Sequence, residues 1–387
     1  MLATILVITG VLLSFRYEPS VDRAYTSIQQ IETQMAFGSL FRAIHHWSAN
    51  LLIITTFLHL VRVFLTGGYK KGRTMNWLIG VLLLLVVLAF NFTGYLLPWD
   101  QLAYWAITVS TSLLGYIPLM GNALSNFVLA GPEIGQGALS NFYGLHVSVL
   151  PLVLIAMMGY HFWKIRKNGG ISQPERAERE RLEKVTTIPH LVSREFAAAG
   201  IVLAGIILWG MWQPAPLDSL ANPAISPNPA KAAWYFMGLQ ELLLHMDALA
   251  AIILVGVVLL GIIFLPKLDK RQEDIGIYFR SALGRRAAML GLLLSVTLIP
   301  ILVIIDEFWL DWAAILPTWP ILIVNGLLPL LLSIIGLAIV YGLMRLLQAN
   351  HSEALLGLFS FVLIGLIVLT VIGVYFRGAN MALVWPG

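Results

Sequence analysis

Two stretches decide how this chain folds: FGSLFRAIHHWSANLLIITTFLHLVRV, residues 37–63, and NFYGLHVSVLPLVLIAMMGYHFWKIRK, residues 141–167. Each is a long apolar run with a histidine near its start and another near its end. His45 and His59 are 14 residues apart, and His146 and His161 are 15 apart. At about 100° and 1.5 Å per residue, 14 steps leave about −40° of rotation and 15 leave about +60°, over roughly 21–23 Å. Each helix therefore carries two imidazoles on one broad face, one near each side of a bilayer. Pairing the helices predicts two bis-histidine sites stacked across the membrane. His46 competes with His45, but its 13 steps to His59 rotate by about −140°. His45 is the expected ligand.

The rest of the chain agrees with a membrane setting. Of its 387 residues, 59% are hydrophobic and 11% charged, and the mean hydropathy is +0.84. A soluble domain carries about 25% charged residues. Apolar runs of about 20 residues recur, each long enough for a roughly 30 Å hydrocarbon core. A β-barrel would show short alternating segments instead. The expectation is an all-α integral membrane protein with about nine spans. Residues 1–15 are apolar but short, and read as a first helix whose beginning precedes Met1. Further spans are expected near 38–65, 76–97, 140–163, 195–212, 247–265, 288–305, 321–346 and 354–376. Residues 99–138 read as a looser loop with short interfacial helices. Prolines at 214, 216, 223, 227 and 229 forbid a regular helix there.

The net charge of +4 does not point to nucleic acid, because the basic residues sit in loops between spans. Eighteen lie on the side of the 164–194 linker and four on the other. The positive-inside rule puts that linker in the cytoplasm. The 99–138 loop and the Pro-rich segment then share the outer side. The chain has no cysteine, which excludes disulfides, cysteine-held Fe–S clusters and a thioether-attached haem on it.

An ionisable residue in a span is costly and a functional candidate by default, although a lone membrane histidine can simply bond a neighbouring helix. Four at matched depths suit haem, whose iron accepts axial histidine between helices. Zinc suits them less, since its sites draw three or four ligands together.

The chain resembles the cytochrome b/b6 family of quinol-oxidising cytochrome bc complexes. The likeness runs from about residue 10 to 170 and is carried by FGSLFRAIHHW, LHLVRVFLTGGYKKGR, TGYLLPWDQLAYWA and FYGLHVSVLP with HFWKIRKNGG. The 14 and 15 spacings are similar to cytochrome b6. Residues 195–306 resemble the subunit IV or C-terminal half, fused here, and 307–387 resemble longer bacterial relatives only loosely. The resemblance implies a four-helix dihaem domain over 1–168, a cytoplasmic charged linker over 169–194, a subunit IV-like domain over 195–306 and additional helices over 307–387.

It also implies two non-covalent haem b groups: His45 and His146 on the outer iron, His59 and His161 on the inner. Gly80 and Gly94 match glycines at crowded haem edges, as does Gly10. Arg42 and Arg62 match arginines near haem propionates, where guanidinium pairs with carboxylate. Arg166 matches one near the inner quinone or haem. An outer quinol site is implied at Pro98, Trp99, Tyr104, Trp234 and Tyr235. The family's Pro-Glu-Trp-Tyr motif departs here to Ala232-Ala233-Trp234-Tyr235, so its proton-accepting glutamate is Ala233. Glu241, or Asp218, is a candidate substitute.

The implied function is the membrane subunit of a quinol:cytochrome c-type oxidoreductase. Expected partners are a Rieske-type Fe–S protein, a c-type cytochrome, quinone and the bilayer. A homodimer in a multisubunit complex of a bacterial or archaeal inner membrane is expected. Two other readings compete. One is a dihaem anchor passing electrons between quinone and another enzyme without bifurcation. The other is a haem-free transporter with histidines in a proton path.

Overall fold

The structure, a computed structural model, describes residues 1–70, 72–172, 186–270 and 275–385. Most of the charged linker, 173–185, lies outside the described residues. Apolar runs become helices because hydrocarbon offers the backbone no other hydrogen-bond partner. Short α1 (Leu2–Ser14) packs along α3 (Gly38–Leu65), and α2 (Ala24–Gln34) packs on α3. α4 (Thr74–Leu96) runs back toward the end where α3 begins. There α5 (Gln101–Gly115) and α6 (Gly121–Leu129) fill the expected loop. α7 (Gln136–Gly144) continues through a π-helical turn, Leu145–Val149, into α8 (Leu150–Lys167).

The second part begins with α9 (Val192–Trp212), which packs on α3. It continues with α10 (Trp234–His245), α11 (Ala248–Leu268), α12 (Ala282–Phe308) and the single turn α13 (Trp312–Ile315). A second π turn at Ile323–Leu327 opens α14 (Leu328–Leu346), and α15 (His351–Tyr375) follows. Among the described residues eight helices are long and apolar enough to cross a membrane, and α1 with its 13 residues is shorter. With α1 they are the runs read from the sequence. Among the described residues there is no β-strand, only isolated bridges from Asp100 to Leu220 and from Arg377 to Leu383.

Besides the single turn α13, two helices were not foreseen. α2 is too short and polar to read as a span. It buries Ala24, Ser27, Ile28 and Ile31, the i, i+3, i+4, i+7 stripe of an interfacial helix. α10 starts five residues after Pro229, as soon as the prolines stop interrupting the backbone.

The two parts are clipped together near the α3–α4 turn by buried charges. Lys70 Nζ meets Asp269 Oδ1 at 2.9 Å, and Tyr69 donates to Oδ2 at 2.6 Å. Arg280 donates to the Tyr69 hydroxyl at 2.6 Å and to the Ser352 carbonyl at 3.0 Å. Burial alone would raise the Asp269 carboxyl, but the hydrogen bonds from Tyr69 and Lys70 and the two cations hold it below the usual range. Charges this deep are tolerated only when paired. Farther out, α12 and α15 touch backbone to backbone: a Cβ on Gly291 would lie 2.1 Å from the Gly357 carbonyl oxygen.

Candidate functional site

The four histidines form two pairs between α3 and α7–α8. His45 and His146 have ring centroids 6.3 Å apart, and His59 and His161 6.5 Å apart. One iron held by two imidazoles at metal–nitrogen distances of about 2 Å would set the ring centres roughly 6 Å apart. His46 points elsewhere, onto Trp47, with its Nε2 facing the Asn50 amide at 3.3 Å.

A local irregularity explains the unequal spacings. In the Leu145–Val149 turn the Leu150 N–H reaches back five residues to the Leu145 carbonyl. A π turn absorbs one extra residue into an α-helix. The 15 residues from His146 to His161 therefore act as 14, and both helices carry their histidines at the same net angle of about −40°. Pro151, which has no N–H to give, follows directly.

The outer pair is oriented through Nδ1. Thr9 Oγ1 lies 2.9 Å from His45 Nδ1, and Thr93 Oγ1 lies 3.1 Å from His146 Nδ1. Such contacts fix a ligating ring's tautomer and rotation. Each threonine directly precedes a glycine that the ring needs: a Cβ on Gly94 would lie 2.6 Å from His146 Cε1, and one on Gly10 3.2 Å from His45 Cε1. Gly80 faces His161 in the same way at 3.6 Å. In the inner pair no side chain among the described residues bonds His161 Nδ1 as the threonines bond the outer rings, and His59 is exposed on the flank of the bundle. Among the described residues no three histidine or acidic side chains gather into a metal-holding group. Facing pairs with ring-sized gaps and flanking glycines fit bis-histidine haem and not tetrahedral zinc.

The profile of the family described as Cytochrome b/b6/petB matches residues 1–169. Cytochrome b6 of Auxenochlorella protothecoides is 45% identical over 168 residues, 43% of this chain and 78% of that protein. Cytochrome b6 of Porphyra purpurea is 44% identical over the same shares. The chain belongs to the cytochrome b/b6 family. A solved structure titled "Hyperthermophilic respiratory Complex III" extends the likeness in fold. It has a TM-score of 0.69 at 25% identity and covers 96% of this chain and 88% of its own. The chain is thus a multi-pass, cytochrome b-type membrane subunit of an electron-transport oxidoreductase complex, in a family that binds haem.

The family's outer loop has a clear structural role here. Trp99 is buried with a left-handed φ of 54°, which turns the chain after Pro98. Asp100 caps α5 through the Ala103 N–H at 2.9 Å and accepts the Asp218 N–H at 3.0 Å. Burial, with the Asp218 charge beside it, raises its carboxyl above the usual range against those two hydrogen bonds. Gln101 accepts the Asn222 N–H at 2.6 Å and donates to the Ile225 carbonyl. Both residues fasten the Pro-rich segment to the loop. Tyr104 lies edge-on to Trp99 at 6.3 Å.

At the start of α10, Trp234 donates to Asn50 Oδ1 on α3 at 2.6 Å, and Phe236 meets Phe92 on α4 at 5.9 Å. Burial and the nearby Tyr95 push the Tyr235 hydroxyl up. Ala233 is the N-cap of α10 and offers no side-chain cap. Asp218 spends Oδ1 on its neighbour's N–H at 2.8 Å.

Glu241 is fully buried on the α15 side of α10. Six residues from Tyr235, it is turned about 120° away. Arg377 donates to it at 2.7 Å, and His245 Nε2 lies 3.3 Å away. Burial would raise its carboxyl, but the hydrogen bonds and charges of His245 and Arg377 hold it low. Arg42 is buried against Glu32 and the Ala215 and Pro216 carbonyls, whereas Arg62 and Arg166 are exposed.

Sequence reasoning missed three things: the π turn, the threonines, and the cluster of Glu241, His245, Asp306, Glu307 and Arg377. The first was signalled by a 15-residue spacing before Leu-Pro, the second by Thr-Gly pairs at 9–10 and 93–94. The third joins residues up to 136 positions apart and left no local signal.

Proposed function

We propose that the chain is the dihaem membrane subunit of a quinol:cytochrome c-type oxidoreductase. The observation that carries this is the pair of facing imidazole pairs, 6.3 and 6.5 Å between ring centroids, in a cytochrome b/b6 chain. His45 with His146 would hold an outer haem b, and His59 with His161 an inner one. When bound, the two haems supply a one-electron path between the two sides of the membrane. Gly10, Gly80 and Gly94 leave room at the rings, and Thr9 and Thr93 orient the outer pair. Arg42 and Arg62 stand at the two ends of α3, where propionates need cations.

Quinol would bind at the outer side between the Pro98–Tyr104 loop and Trp234–Tyr235. There Trp99, Tyr104 and Tyr235 supply aromatic walls, and Asp100 and Gln101 hold the loop and the Pro-rich segment in one body. Quinone would be reduced at the inner side near Arg166. The partners are a Rieske-type Fe–S protein and a c-type cytochrome, with the chain dimeric in the inner membrane of a bacterium or archaeon. The dihaem domain is assigned to 1–168, the linker to 169–194, the subunit IV-like domain to 195–306 and further helices to 307–387.

A reduced-minus-oxidised spectrum of the purified complex tests the core of this. It should show low-spin b-type bands, and His45→Ala and His146→Ala should each remove the same haem and spare the other. Loss of different haems would sink the pairing.

Two observations favour a second reading, an anchor that exchanges electrons with quinone without bifurcation. Position 233 is alanine, and Glu241 is engaged by Arg377. Co-purification of a Rieske protein and inhibition by outer-site quinol analogues would decide against the anchor.

A further inference from the structure

α10 carries Trp234 and Tyr235 but makes little of its own position. It follows a Pro-rich segment, begins without a side-chain cap and is 12 residues long. Helices of that length are marginal on their own. What α10 rests on is the C-terminal end of the chain, the region the family resemblance covers least. A Cβ on Gly238 would lie 2.7 Å from a Leu366 methyl and 2.9 Å from its carbonyl oxygen, so α10 is seated directly on α15. Lys231 donates to the Val374 carbonyl at 2.8 Å, and Asn228 donates to Asn380 Oδ1 at 2.8 Å. These fix the chain just ahead of Trp234.

At the other end of α10 the tie is ionic. Arg377 spans Glu241 at 2.7–3.1 Å, Glu307 on α12 at 2.7 Å and the Met381 carbonyl at 2.9 Å. His245 adds a bond from Nδ1 to Asp306 on α12 at 2.6 Å. Arg377 and Glu241 side chains are 1% and 0% exposed. A fork of donors on a buried carboxylate fixes both distance and rotation.

We propose that α15 and residues 376–385 form the bed that positions the outer-site helix, with Arg377 as its positioning residue. The bed sets the rotation of α10 on one face, and so sets how Trp234 and Tyr235 stand against Asn50 and α4 on the other. The functional half of this rests on the outer-site reading above.

Three variants of the purified complex test it: Arg377→Gln, Arg377→Lys and the double variant Glu241→Gln/Arg377→Gln. The double variant leaves no lone buried charge and covers the case in which the single one does not assemble. The first readout is reduction of haem b by a short-chain quinol that reduces the wild-type complex. Arg377→Gln should raise KM for quinol about tenfold, the scale of a small misplacement, with both haem spectra and midpoint potentials unchanged. Arg377→Lys should recover part of the difference.

The second readout is hydrogen exchange over 234–245, which should quicken in Arg377→Gln while α3 and α4 stay protected. It needs no quinol chemistry. If no quinol reduces the wild type, the functional reading fails while exchange still reports on the bed. An unchanged KM together with unchanged exchange, in whichever variant assembles, overturns the proposal. So does failure of both Arg377→Gln and the double variant to assemble, because the residues would then serve folding alone.

Discussion

If the π turn exists to absorb a residue, that residue can be removed. Deleting Ser148 and converting Leu145–Val149 to regular α-helix leaves 14 residues between the second pair of histidines. Fourteen steps turn about −40°, the angle the pair already holds. The deletion alone would set the Pro151 ring against the His146 carbonyl, four residues earlier in the new register, at about 3 kcal/mol. The deletion is therefore combined with Pro151→Ala.

Deleting Leu154 is the contrast. It lies beyond the π turn, so the effective count falls to 13 and His161 turns about 100° relative to His146. On a helix of about 2.3 Å radius that shifts the Cα by roughly 3.5 Å, against a ligand tolerance of about 0.2 Å. Purified protein is assayed for haem-to-chain ratio and for b-type bands. The Ser148 deletion with Pro151→Ala should keep both haems, and Pro151→Ala alone should do the same. The Leu154 deletion should lose at least one. Equal loss in both deletions would refute the account of the spacing.

Four other outcomes follow from the geometry. Gly94→Val should drive the His146 ring from its place, since even a Cβ would lie 2.6 Å away, and remove the outer haem while sparing the inner, read by spectral deconvolution. Thr93→Val removes the Nδ1 partner of His146 and should weaken outer-haem retention by about tenfold or more, read by haem transfer to an apoprotein acceptor. Asp269→Asn removes the buried carboxylate that meets Lys70 and Arg280 and accepts from Tyr69 and Ser352 and should cost about 3 kcal/mol, read as a lower midpoint in thermal unfolding in detergent. The fourth concerns pH. Burial opposes charge on His245, but hydrogen bonds to Asp306 and Glu241 and their charges push its pKa up to about 9 from 6.5. The folded state then binds the extra proton, so this contribution is fully present below about pH 6.5 and lost as pH rises through about 9. It is on the order of 3 kcal/mol, and His245→Gln should flatten the fall in unfolding temperature across that window.

Much of this was legible because a bilayer enforces simple rules. Span positions follow from apolar run length, and α3 matches its expected bounds of 38–65. Helical angle chose His45 over His46, and in the structure the His45 ring faces His146 while His46 lies against Trp47. The same arithmetic treated 145–149 as α-helix and so gave the second pair an offset of its own. A period counts residues and cannot see one that the hydrogen-bond ladder skips.

What the sequence concealed is long-range and polar. Glu241 reads as a spare acid near the outer loop, free to replace the glutamate absent at 233. Its surroundings make it the anchor of Arg377 and His245, with its carboxylate held in the charged form. A carboxylate so held is a poor proton acceptor, because accepting a proton would leave Arg377 partly unpaired in a buried site. The residues that do face α4 from the start of α10 are aromatic: Tyr235 near Tyr95, and Phe236 against Phe92. If quinol is oxidised there, its proton leaves by a path that the acids of this helix do not supply. Glu241→Gln should then leave the pH profile of quinol oxidation in place while raising KM, as misplacement of α10 would. A shift of that profile on removing Glu241 would restore it as the proton acceptor and dismiss its role in positioning α10.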